Sequence, residues 1–450
     1  MNTILVGALL LVPVPQDPLP AARPGEKIDV KIATMVKSIQ VARIEKADRD
    51  LVGFYTRQIL SATDDPRRGT GAARTYLQKI YESFIPGSGG RLTVERQLVE
   101  RPSRRLQRTV KLVNIIATLK GTTDPDRVYV IGGHYDSINS NPRDPKGQAP
   151  GANDDGSGTC VAIEACRVMS KMKFAATIMF VAYDGEEQGL LGSEGHAKAL
   201  ADAEVNVAGM ITNDIVGNTL GMDGTRRRGY LRVFSYSPTG NDSPGRSLAR
   251  VASYAVRRHV PDFSIKLIYR GDRFGRGGDH KSFHKRGYPA VRFTEPREDY
   301  SRQHQNVTER DGKPYGDLPE FVDFEYLAKV TAANVAMLAH LASAPPAPTR
   351  VRARGARDAY DVNISWTAVA TAHHYEVVWR QTTAPDWEGS RIIVEPGRGR
   401  RGGLAYVLKG VCIDDNVVGI RVVGKDGSRS RVTTPPEPDS FNQRQVRRGR

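Results

Sequence analysis

The chain has 450 residues, 39% hydrophobic and 26% charged, with a net charge of +16 and three cysteines. That length suffices for two or three domains and a large core, and Cys160 and Cys166, six apart on one expected helix and so facing different ways, exclude a disulfide scaffold. The positive excess lies in small clusters (Arg226–Arg228, Arg398–Arg401, Arg444–Arg450) without interleaved aromatics or a zinc-finger or helix-turn-helix signature, which predicts a solvated basic surface and no nucleic-acid partner.

Residues 1–22 hold the apolar run ILVGALLLVPVP. It is shorter than the roughly 20 residues of a membrane-spanning helix and matches the core of a secretory signal. No Lys or Arg precedes it, and no other stretch could cross a bilayer. The expectation is a secreted or periplasmic protein with no membrane span.

Over residues 23–345 the texture alternates. IDVKIATMVKSIQVARIEKADRDLVGFY and GTGAARTYLQKIYESF show helical spacing, RLTVERQLVE alternates as a strand, and KLVNIIATLKG and RVYVIGGHYDS are short apolar strands. TCVAIEACRVMSKM predicts a helix, FAATIMFVAYDG a strand, EGHAKALADA a helix and NVAGMITNDIVGN a strand. SLARVASYAVRRH, PAVRFTEP and FEYLAKVTAANVAMLAHLAS follow as helix, strand and long closing helix. Continuously apolar strands between helices predict an α/β domain, a mostly parallel sheet covered by helices on both faces.

At SAPPAPTRVRARGARDAY a Pro- and Arg-rich linker begins. Residues 346–436 then read as short strands (DVNISWTAV, HHYEVVWRQTT, RIIVEPG, LAYVLKG, NVVGIRVVGKDG, SRVTTPP), which predicts an all-β sandwich. On Trp366, Tyr375, Tyr406 and VVGIRVVGKDGSRS this part resembles a fibronectin type III module, a fold that could contact a surface or polymer. Residues 437–450 read as a disordered basic tail.

Five segments of the α/β domain carry groups able to bind metal. RVYVIGGHYDS ends at His134 and Asp136, GQAPGANDDGSG brings Asp154 and Asp155 to a helix start, and FAATIMFVAYDGEEQ delivers Glu186 and Glu187. MITNDIVGN carries Asp214, and PAVRFTEPREDYSRQHQ leads to His304. Each alone reads equally well as a turn or a surface pair. Open α/β sheets bind ligands at the carboxyl ends of their strands, where such distant segments can meet.

Together GGHYDS, PGANDDGSG, YDGEEQGLLGS, ND and the late histidine resemble the co-catalytic di-zinc exopeptidases, the family of bacterial leucyl aminopeptidases and glutamate carboxypeptidases, over residues 60–342. The resemblance implies two Zn²⁺, with His134 and Asp214 on one, Glu187 and His304 on the other, and Asp154 bridging. It implies that Asp136 orients His134 and that Glu186 takes a proton from metal-bound water. Gly278, Asp279 and His280 fall in a stretch that lies near the substrate pocket in that family, with Arg276 beside it. Three carboxylates against two Zn²⁺ leave one positive charge, which a hydroxide neutralises, and imidazole and carboxylate are ordinary zinc ligands.

The reading is therefore a zinc exopeptidase acting on a peptide or protein, an aminopeptidase first. A carboxypeptidase is the alternative, with Arg270, Arg273 and Arg276 gripping a substrate carboxylate. A non-catalytic binding protein of the same fold is the other. His280 and His284, four apart, lack the intervening Glu of a zincin helix, and GIRVVGKD at 419–426 falls short of a phosphate-binding loop.

Overall fold

The computed structural model describes residues 28–436 apart from 239, 241, 357, 358, 400 and 401. The expected leader (1–22) and basic tail (437–450) lie outside the described residues. The first helical stretch divides into α1 (Val30–Lys37) and α2 (Val41–Gly53). At the break the Ser38 hydroxyl donates to Met35 O (2.8 Å), and Gln40 N donates to Glu164 (2.9 Å). Next comes α3 (Gly69–Glu82).

Eight strands among the described residues form the central sheet: β1 (Leu92–Ser103), β2 (Arg108–Leu119), β3 (Asp124–His134), β4 (Ala176–Tyr183), β5 (Asn206–Asn213), β6 (Tyr230–Ser235), β7 (Ser264–Ile268) and β8 (Ala290–Thr294). Their order is β1-β2-β4-β3-β5-β8-β6-β7. Strands β4, β3, β5 and β8 pair in parallel, whereas β2 meets β4 and β6 meets β8 antiparallel. With β6 and β7 also parallel, four of the seven pairings among the described strands are parallel, as expected, and the three antiparallel ones make the sheet mixed. The turn at 104–107 is too short for a crossover, so β1 and β2 can pair only as an antiparallel hairpin. Strands β6 and β7 were not anticipated, because their apolar runs are short and interrupted by Arg232 and Lys266.

Alternation along the strands divides the core. On β4, Ile178, Phe180 and Ala182 pack with α4 (Ser157–Met169), α6 (Pro244–His259) and α8 (Phe324–Ser343). Val181 and Tyr183 face the opposite layer, built on α5 (Leu191–Asp202) and α7 (His280–His284). Helix α8 starts where the Asp323 carboxylate accepts from Tyr326 N (3.2 Å) and buries Ala332, Ala333, Ala336, Ala339 and Ala342. Alanine favours the helix and leaves room for α4 and α6 to approach. No helix of the described residues is long and apolar enough to cross a membrane.

A small hairpin of β9 (Thr308–Arg310) and β10 (Lys313–Tyr315) precedes α8. Beyond α8, β11 (Arg352–Gly355), β12 (Val362–Trp366), β13 (His374–Gln381), β14 (Gly389–Ile393), β15 (Gly397–Arg398), β16 (Leu404–Leu408) and β17 (Asn416–Val423) form two sheets, β11-β12-β16-β15 and β14-β13-β17. Val362, Ile364, Trp366, Val377, Leu408 and Ile420 form their shared core. Part of the expected linker is strand β11, and the expected strand SRVTTPP joins through an isolated bridge at Thr433 and the bond from Ser430 N to Val422 O (2.9 Å). This β unit docks on α6: Ser247 Oγ donates to Val432 O (2.7 Å), and buried Asp242 pairs with Arg250 (2.8 Å) and with Arg380 of β13 (3.1 Å).

Candidate metal centre

The carboxyl ends of β3, β4 and β5 open on one edge of the sheet, where β3 ends on His134. A Cβ at Gly158 would lie 2.1 Å from the Asn213 carbonyl, and one at Gly133 would lie 2.5 Å from the Gly158 backbone. Glycine at these two positions lets β3, the start of α4 and the end of β5 close on one another. Buried Asp155 ties the three together by accepting from the backbone N–H groups of His134 (3.0 Å), Gly158 (2.9 Å) and Ile215 (3.3 Å). The peptide between Asp154 and Asp155 is cis.

Two trios converge here. His134, Asp154 and Asp214 place ligand atoms within 4.8 Å of one another, and so do Asp154, Glu187 and His304. Asp154 belongs to both: Oδ1 lies 3.2 Å from His134 Nε2, and Oδ2 lies 3.0 Å from His304 Nε2. Glu187 Oε1 is 2.9 Å from that same His304 nitrogen. All five predicted ligands are thus brought together. The loop before them is held by Asp317, which accepts from Asn153 N (2.9 Å) and Asp154 N (2.7 Å).

Asp136 reaches the glutamate turn. Its two carboxylate oxygens accept from Glu186 N (3.1 Å) and Glu187 N (3.2 Å), and one of them lies 3.4 Å from His134 Nδ1. One carboxylate therefore sets both the imidazole and the paired glutamates. Arg105 adds a bond to the Glu187 carbonyl. Replacing Asp136 with Asn leaves one of those N–H groups facing an amide. The expected result is about a 10- to 100-fold loss of zinc affinity or turnover, read by metal titration and steady-state kinetics.

Glu186 Oε2 lies 4.0 Å from His134 Nε2 and belongs to neither trio. Burial pushes its carboxyl well above the usual range; His134 opposes the shift, and Asp214 and Glu187 add to it.

The remaining predicted residues are placed differently. His280 is fully buried, donates Nε2–H to Gly271 O (2.8 Å), and is pushed down to about 3, first by burial. It stays neutral and anchors a loop. Asp279 is buried beside the centre, its carboxyl pushed up to about 7 by burial against the pull of His134. Arg273 and Arg276 both bind Glu298 (2.9 and 3.2 Å), while Arg270 is exposed and stacks over Phe274.

Gly278 makes room for a residue the motifs did not reveal. A Cβ there would sit 2.5 Å from Arg292 Nη1. Arg292, buried on β8, binds Asp214 Oδ1 (2.7 Å) and so fixes one oxygen of that carboxylate. The signal available in the sequence was an arginine inside an otherwise apolar strand, AVRFT.

These donors suit a cation. The buried Nε2 atoms of His134 and His304 and Oε1 of Glu187 make no hydrogen bond among the described residues, although they crowd together. They point at common centres, with the nitrogen and oxygen donors zinc takes. Without cations, Glu187 pushes the His304 imidazole up to about 11, burial opposing and Asp154 helping. Burial works against the His134 imidazolium, but Asp136 and Asp154 outweigh it and raise that group too.

The sign follows. Both histidines hold protons across neutral pH, and zinc binds the neutral ring, so uptake must expel them. Zinc affinity is expected to rise with pH throughout the range below the raised His304 value of about 11, by up to about tenfold per pH unit for each proton expelled. Proton release on zinc addition in dilute buffer checks it, and uptake without protons contradicts it.

Fold and donor set together define an α/β protein with a candidate metal centre at one edge of its sheet. The Peptidase family M28 profile matches residues 114–315. A probable zinc metalloprotease of Phaeosphaeria nodorum is 40% identical over 442 residues, covering 90% of this chain and 88% of its own. The LapA aminopeptidase of Legionella pneumophila superposes with a TM-score of 0.53 at 21% identity, over 72% of this chain and 78% of that one. A glutaminyl cyclase of Fimbriiglobus ruber gives 0.51 at 20%, over 70% and 98%. At those identities the two structures share the fold, and the fold alone selects no substrate. The chain belongs to peptidase family M28 and is a zinc metalloprotease.

Proposed function

We propose that the protein is an aminopeptidase that hydrolyses the N-terminal peptide bond of its substrate. His134 and Asp214 would hold one zinc ion, Glu187 and His304 would hold a second, and Asp154 could serve both. The observation that carries this reading is the division of Asp154, one oxygen toward each histidine. Zinc in such a centre acts as a Lewis acid on the scissile carbonyl and lowers the pKa of water.

The chain supplies the proton handling. Glu186, which belongs to neither trio, takes a proton from the attacking water and hands it to the leaving amine. Asp136 keeps that carboxylate in place through the turn N–H groups. The acidic groups beside the ligands, Glu186 and Asp279, suit a substrate ammonium. The carboxypeptidase alternative is weakened because Arg273 and Arg276 are already engaged by Glu298. The same proposal includes export and a fibronectin type III-like role for the β unit of 346–436 as a contact module.

The test uses zinc-reconstituted protein and one peptide in three forms: free, amino-blocked and carboxyl-amidated. Mass spectrometry is expected to show residues lost from the amino end, and none when that end is blocked. Loss from the carboxyl end, stopped by amidation, would overturn the assignment in favour of a carboxypeptidase.

A further inference from the structure

Away from the metal centre, a cavity of about 70 Å³ lies between α6 and the β unit. A single water needs about 10–15 Å³ on this measure, so the cavity has room for several waters or one small polyatomic ion. Its wall includes Arg250 and Arg257 of α6, His340 of α8, Trp387, Arg421 of β17 and Arg429.

Positive charge there is incompletely matched. Arg250 and Arg380 share Asp242, Arg421 and Arg429 share Glu376, and Arg257 has Asp386 at 3.6 Å. Among the described residues the four arginines of the cavity wall, Arg250, Arg257, Arg421 and Arg429, thus face three carboxylates. Hydrogen-bonding capacity is also left over. The side chain of Arg250 is 3% exposed and that of Arg257 8%. Among the described residues, Arg250 Nη2, Arg257 Nε and Arg429 Nε have no acceptor. Buried donors without acceptors are rare and costly, and guanidinium forks match oxyanions. His340 responds to the same field: burial first, then Arg421, His259 and Arg258, push it down to about 4, so it adds no charge.

We propose that this cavity is an oxyanion site, taking phosphate or sulfate as a bridge between α6 and the β unit. The ion accepts the orphaned N–H groups and balances the surplus positive charge. It binds the native arrangement and not the unfolded chain, so it raises the unfolding temperature by mass action.

The experiment follows thermal unfolding and tryptophan fluorescence of the zinc-loaded full chain. Sodium phosphate, sulfate or acetate replaces chloride at constant ionic strength. Phosphate and sulfate are expected to raise the midpoint saturably by several degrees and to shift the emission, since Trp387 lines the cavity; acetate is expected to do less. A double variant, Arg257→Gln with Arg429→Gln, is expected to lose both responses. No saturable response in the wild-type chain means the cavity holds only water and overturns the proposal. An equal response in the double variant places the anion elsewhere, at the zinc centre for instance, and also overturns it. Should the double variant fail to fold, anomalous diffraction from wild-type crystals soaked in selenate decides. A selenium peak between α6 and Trp387 supports the site, and its absence there removes it.

Discussion

Glu186→Gln is expected to retain its zinc and to lose turnover by about 10²- to 10⁴-fold, the range a positioned general base contributes. The change is nearly isosteric. It preserves the backbone N–H that Asp136 accepts (3.1 Å) and removes the site that takes the proton. Elemental analysis and kcat on the same preparation separate the two effects. A variant that lost metal along with activity would make Glu186 a ligand. One that kept full activity would remove it from the proton path.

Asp154→Ala is expected to have the widest effect on the metal. Other ligand substitutions leave one trio intact, but Asp154 serves both. Its loss deprives His134 and His304 of their shared carboxylate, and buried Glu187 and Asp214 are left on opposite sides of a gap. Expected zinc content falls well below one ion per chain, with activity at background. His304→Ala, by contrast, is expected to keep the ion held by His134 and Asp214. Equal zinc loss in the two variants would mean that the trios fill only as a unit. Full zinc content in Asp154→Ala would show that Asp154 bridges nothing.

Sequence periodicity revealed the parallel strands well because both faces are covered, giving continuous apolar runs such as those of β3 and β4. Three of the ligands were legible for a related reason, since His134, Glu187 and Asp214 stand where such a run stops or just beyond it. What periodicity could not convey was direction. Strand β2 is as apolar as β3, yet the hairpin at 104–107 turns it antiparallel to β4. Short strands on the far flank escaped because Arg232 and Lys266 interrupt them. Among the supporting residues, Asp136 was legible by its spacing from His134. Arg292, Asp317 and the tie that Asp155 makes to His134 and Ile215 were not, since those partners are 78, 163, 21 and 60 residues away and no local pattern records such distances.

The grip on Asp242 also bears on how the molecule comes apart. Its carboxylate is buried and held from two sides, by Arg250 of the α/β part and Arg380 of the β unit. Separation would expose both guanidiniums, forfeit the Arg250 bond to Pro385 O (2.9 Å) and uncover Trp387. A chain whose sequence changes texture at residue 346 is therefore expected to melt once. Calorimetry should record a single cooperative transition spanning both parts, because neither keeps its buried charges satisfied after the other has gone.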